Sequence, residues 1–140
     1  MLTLSKGAAV GYPFVSPAGK ALVLADVEVN GRGPFRFAVD TGASYCAIAP
    51  ALVQELRLTR GMDAQVAGAG GLEGGYFTKA ARVAAGGAAW GNLTMATGSF
   101  FAAVAGKVGV RVDGILGANA FLRRILTIDY AARRWGFENA

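Results

Sequence analysis

Between Leu22 and Val39 the chain alternates with a period of two and reverses once, which commits this stretch to a β-hairpin and the fold to a sheet. Val23, Ala25, Val27 and Val29 face one way, and Asp26 and Glu28 face the other. Asn30-Gly31 then supplies the positive φ angles of a tight turn. Phe35, Phe37 and Val39, alternating with Arg36 and Ala38, form the return strand. Elsewhere short apolar runs are separated by some of the 21 glycines, whereas prolines number only four, so the expected class is all-β. Phe77–Ala85 and Ala88–Phe100 are expected as strands around Gly86-Gly87, and 125–130 and 134–138 as a closing hairpin. Pro50–Leu58 and Ala118–Arg124 are the two expected short helices. The glycine-rich stretch from Val66 to Phe77 is expected to be a mobile hairpin or loop. A chain of 140 residues accommodates one ordinary domain, assigned to residues 20–140, with residues 1–19 as an arm or linker.

Composition removes most alternative chemistries. Hydrophobic residues make up 54% and charged residues 16%, enough to pack a core and too apolar for a disordered chain. The net charge of +5 is spread out, with only Arg123-Arg124 and Arg133-Arg134 adjacent, so no nucleic-acid partner is expected. Histidine is absent and Cys46 is the single cysteine. That excludes Ser-His and Cys-His nucleophile systems, the usual zinc sites, cysteine clusters and intrachain disulfides. Neither a metal nor a cofactor is expected, and carboxylates remain as the acid-base groups. Apolar stretches break before the ~18 residues a membrane span needs, so no membrane anchor is expected in this chain. Met1–Ala9 does not have the pattern of a signal peptide. A lone cysteine fits the cytoplasm without fixing the compartment.

One segment carries chemistry. In Phe37-Ala38-Val39-Asp40-Thr41-Gly42-Ala43-Ser44 an apolar strand delivers a carboxylate to its end, followed by small residues that let a second backbone approach. Gly42 is expected there for its conformational freedom, and Thr41 for a hydroxyl that can lock the loop. The alternative reading of Asp40 is a turn residue closing a strand.

The chain resembles the retropepsin-like aspartic proteases, including their bacterial members. Val39 to Ser44 looks like the catalytic loop of that family. Gly68-Ala69-Gly70-Gly71 lies where the family carries its substrate-covering flap. Asp113-Gly114-Ile115-Leu116-Gly117, followed by Ala120-Phe121-Leu122, is similar to its apolar-apolar-glycine segment and the helix after it, and 126–130 to its closing strand. The resemblance implies an acid-protease β-barrel with one or two short helices, active as a homodimer on a protein or peptide substrate. Asp40 would be the catalytic carboxylate, one from each subunit. Thr41 would exchange hydrogen bonds with the partner's loop, and Gly42 would offer its carbonyl to the substrate. Ala43 and Ser44 would border the substrate, and Ala69, Gly70 and Gly71 would lie near the flap tip. Asp113 is the only tempting second acid, but Gly114-Ile115 follows it where Thr-Gly would be needed, so it is assigned as a turn residue. Ala43 has no hydroxyl to stabilise an ionised carboxylate, so a paired site is expected to keep its shared proton into the weakly acidic or neutral range. The alternatives are a non-catalytic dimerisation or peptide-binding module on the same fold, and, more remotely, a barrel carrying small apolar ligands.

Overall fold

The computed structural model of the protein describes residues 11–68 and 71–139. Its first half runs β1 (Tyr12–Val15), β2 (Val23–Val29), β3 (Arg32–Val39), β4 (Cys46–Ile48), α1 (Pro50–Glu55) and β5 (Arg60–Gly68). The second half runs β6 (Gly71–Ala85), β7 (Ala88–Thr97), α2 (Phe100–Val108), β8 (Gly114–Leu116), α3 (Ala118–Phe121), β9 (Arg124–Asp129) and β10 (Arg134–Asn139). The β2–β3 hairpin turns at Asn30 and Gly31, whose φ angles of +52° and +74° are those the dipeptide favours.

Hydrogen bonding links β2, β3, β8, β4, β7 and β6 in that order, and β6 returns to β2 through Glu28–Ala84 and Val29–Val83. Six strands therefore close a barrel. Two of its joints are parallel, β3 with β8 and β4 with β7, and both bring distant segments side by side. Successive strand residues point to opposite faces, and both faces of this barrel are used. Val23, Ala25, Val27, Phe37, Met95 and Leu116 belong to the larger core, which Trp135 and Phe137 also join. Their neighbours Leu24, Ala38, Ala47, Ala96 and Ile115 form a second cluster with Phe100, Phe101 and Val108 of α2.

Helix α2 is a departure from the expected strand Ala88–Phe100. The strand stops at Thr97, and Gly98 at φ +146° turns the chain out of the sheet. Phe100, Val104 and Val108 then recur every four residues, one face of a helix, and the outer cluster buries that face. With α1 and α3 this makes three short helices among the described residues.

Outside the barrel, β1 pairs with both β2 and β10, so Tyr12–Val15, within the segment assigned to an arm or linker, is part of the sheet. Strand β10 pairs in turn with β9. Trp135 on β10 is 1% exposed and meets Phe137 edge-on at 5.4 Å. Truncating it empties the most voluminous fully buried side chain of the described residues. Trp135→Ala is expected to cost about 3–5 kcal/mol, measured as a lower midpoint in urea unfolding at unchanged slope. Among the described residues, no helix is long and apolar enough to cross a membrane.

Candidate active site

Asp40 follows directly on β3. Parallel pairing sets Val39 beside Leu116, and the Asp40 N–H continues that ladder by donating to Leu116 O at 2.9 Å. Beyond it the backbone turns sharply, with Ala43 N donating to Asp40 O at 3.2 Å. The loop is also held from its far side, where Ala118 N donates to Ala43 O at 2.7 Å. The acid thus sits between two strands and the start of α3, on a loop whose course is set by backbone hydrogen bonds.

Gly42 has a different role from the one expected. Its φ is not in the left-handed region, so conformational freedom is not what the position uses. Instead its N–H donates to Asp40 Oδ1 at 2.9 Å, and a Cβ would lie 3.3 Å from that oxygen. Thr41 is exposed, and its hydroxyl makes no hydrogen bond among the described residues. Asp40 is exposed too, and none of the ion pairs among the described residues includes it.

Beside this loop lies a cleft of about 410 Å³. Asp40 and Ser44 supply polar groups at its edge, and Ala43 borders it. Ala47, Phe77, Ala96 and Ile115 make an apolar surface on the outer barrel face. Ala64–Val66 of β5 form one wall and Phe100 and Val104 of α2 another. Lys20 steadies the second wall, since its Nζ donates to Lys107 O and Val108 O, both at 3.1 Å, where the last carbonyls of α2 lack helical partners. Strands β5 and β6 pair as a hairpin as far as Gly68 and Gly71. Gly71 is therefore at the end of that hairpin, while Ala69 and Gly70 lie outside the described residues. A larger concavity of about 560 Å³ lies around Asp26, Glu28, Arg82 and the Gly86-Gly87 turn; the Asp40 loop does not border it.

Asp113 is not part of the site. It precedes β8, where it is engaged by Arg36 N (3.0 Å to Oδ2) and by Arg111 (3.3 Å to Oδ1). The register puts it beside Arg36, four residues back along β3 from Asp40, or roughly 13 Å. Among the described residues, one chain therefore presents one carboxylate to the cleft.

A family model described as aspartyl protease matches residues 25–120, well over half of the chain and inclusive of the Asp40 loop, the hairpin and the Leu116-Gly117 turn. The chain belongs to the aspartyl protease family. Solved structures agree on its fold. A retropepsin-like aspartic protease from Rickettsia conorii is similar at 18% identity and a TM-score of 0.58, with 91% of each chain covered. EIAV protease in complex with the inhibitor HBY-793 is similar at 21% identity and a TM-score of 0.52, covering 76% of this chain and 91% of that one. No curated protein sequence matches this chain at a significant level. The protein is an aspartic-type endopeptidase with a retropepsin-like barrel.

Two residues of this protease that the motif does not mark hold the loop in place. Asn119 of α3 accepts from Cys46 N at 2.7 Å and donates to Thr94 O at 2.8 Å, tying the strand after the loop to β7. Its signal in the sequence was a lone amide between Gly117 and Ala120, inside an otherwise apolar segment. Cys46 is fully buried, and its Sγ accepts weakly from Gly117 N at 3.4 Å. Burial pushes its thiol up from 9.0 to about 11, with the Gly117 hydrogen bond opposing. The folded protease therefore keeps this proton where the unfolded chain releases it. The stability at stake is intact below pH 9, is lost as pH rises from 9 to about 11, and amounts to ~2–3 kcal/mol. Urea unfolding between pH 8 and 11 is expected to show that decline in the wild type and a shallower one in Cys46→Ala.

Proposed function

We propose that two copies of this chain pair about a two-fold axis, bringing their Asp40 carboxylates together to hydrolyse peptide bonds of an extended polypeptide. The observation that carries this is Asp40 itself: an exposed acid without an ion-pair partner among the described residues, fixed by backbone bonds at the edge of an apolar cleft, one per chain. Peptide hydrolysis by two acids requires that they share a proton, because like charges ~3 Å apart do not both ionise. One Asp40 takes a proton from water as its oxygen adds to the scissile carbonyl carbon, while the other donates to the carbonyl oxygen. Collapse of the resulting diol breaks the C–N bond, and the departing nitrogen takes up a proton. A carboxyl and an amine are the products. No cofactor takes part.

The exposed Thr41 is available for hydrogen bonding to the partner's loop across the axis. The Gly42 carbonyl and Ser44 meet the peptide backbone, and Ala43 borders it. The β5–β6 hairpin, with Gly71 at its described end, closes over the bound peptide and excludes water. Such a homodimer has a stoichiometric signature. A statine-type inhibitor, which mimics the diol, is expected to bind once per two chains in native mass spectrometry. One inhibitor per chain, or proteolysis indifferent to it, would overturn the reading.

A further inference from the structure

We propose a second subsite, selective for an acidic side chain of the peptide substrate, on the far side of the Tyr45–Phe77 ridge with Lys79 as its charge-reading residue. This rests on the peptidase reading above and adds a specificity to it.

The strand register carries the cleft past its own wall. Ala47 pairs with Ala96, and Ala96 with Phe77, so these residues make one row across β4, β7 and β6 on the cleft face. Two residues back along β7 and two forward along β6, Thr94 pairs with Lys79 on the same face. The same shift on β4 reaches Tyr45, next to Cys46, which pairs with Met95. Tyr45, Thr94 and Lys79 thus form a second, parallel row, and they line a groove of about 540 Å³. Tyr45 and Phe77 border both spaces, and their rings pack at 5.2 Å to form the ridge between them. The outer wall of the groove comes from Thr59 and Met62, the latter 80% exposed.

The chemistry of the two spaces differs. The cleft has the Asp40 carboxylate, with Ser44, Tyr45 and Gln65 as its other polar residues, whereas the groove, lined by Tyr45, Thr59, Thr78 and Thr94, has the ammonium of Lys79 as its charged group. Its nearby carbonyls are already occupied, Thr59 O by the Thr78 hydroxyl at 2.7 Å and Thr94 O by Asn119 at 2.8 Å. No carboxylate lines the groove, and Lys79 takes part in none of the ion pairs among the described residues. A donor-rich, singly positive groove suits a carboxylate. The spacing suits a peptide, since two residues along a strand span about 6.6–6.8 Å, the repeat that puts alternate side chains of an extended substrate on one face. A residue in the cleft and the residue two positions along would therefore occupy the two spaces together. A lysine or arginine at that second position would meet Lys79 instead.

The test is a set of peptides that share one cleaved sequence and differ at a single position, scanned in turn on each side of the scissile bond, carrying Glu, Gln or Lys there. With the wild type, at one position two residues from an apolar side chain, Glu is expected to exceed Gln in kcat/KM by about three- to fivefold, as for a partly exposed ion pair. That ratio should fall toward one in 0.5 M salt and in Lys79→Gln, and Lys79→Glu should favour the Lys peptide. Both variants change an exposed side chain, and their thermal midpoints check that they fold. Asp40→Asn run on the same peptides separates the two claims. Asp40-dependent cleavage with no acidic preference, or with a preference that survives Lys79→Gln, overturns the subsite alone. Cleavage that persists in Asp40→Asn overturns the peptidase reading and the subsite with it.

Discussion

Asp40→Asn is expected to lower kcat/KM by ~10³–10⁴-fold or more while leaving the fold and the pairing of chains in place. The size follows from the loss of general acid-base catalysis at the reacting carbonyl, typically worth 10²–10⁴-fold for a single group. On the proposed pairing of chains, the substitution removes both acids at once, because each copy would supply the same residue. The fold survives because asparagine keeps the one side-chain bond that shapes the loop: its carbonyl oxygen still accepts from Gly42 N, as Asp40 Oδ1 does at 2.9 Å. The group is exposed, so the change in unfolding free energy should stay within about 0.5 kcal/mol. Cleavage of a fluorogenic peptide, with sedimentation of the same samples, reads both halves of the expectation.

Gly117→Ala is expected to cost about 100-fold in kcat/KM without touching an acid-base group. Gly117 has an ordinary extended conformation at φ −114°, so any residue's backbone would be accommodated. What forbids a side chain is proximity. A Cβ there would overlap Tyr45 O, come within 2.5 Å of Tyr45 C and reach 3.0 Å from Ala43 O. All three are backbone atoms of the loop that carries Asp40, so relief has to come from moving that loop. Displacement by ~1 Å in a positioning element costs on the order of 10²-fold in rate, and overpacking of this kind costs about 1–3 kcal/mol in stability. A rate loss that exceeds the stability loss is the mark of a positioning defect. Equal losses of rate and of folded protein would instead mean that the variant simply unfolds.

The sequence exposed this fold unevenly, for reasons that lie in how each element is stabilised. Strands β2 and β3 were legible because one face is buried and the turn chemistry is local, and the closing hairpin for the same reason. The Asp40 loop was legible because its spacing to Leu116-Gly117 mirrors a parallel pairing that only particular small residues permit. Helix α2 was missed although Ser99 precedes it and Gly109, at φ +80°, follows it. Its run of Phe, Ala and Val is apolar enough to continue a strand, and what makes it a helix is burial against the outer barrel face. Gly42 was identified for the wrong property, since close approach to Asp40 and not backbone freedom is what it provides. The cleft walls at Val66, Phe77 and Val104 carried no signal, because non-local pairing assembles them from three separate elements.

Pairing of two Asp40 side chains is tested most directly by subunit mixing. Wild-type protein is exchanged with increasing amounts of Asp40→Asn protein at fixed total concentration, and cleavage is measured after equilibration. If each active site takes one acid from each copy, only wild-type pairs turn over, and activity falls as the square of the wild-type fraction. A linear fall, with activity per wild-type chain unaffected by the variant, would mean that one chain suffices and would contradict the account.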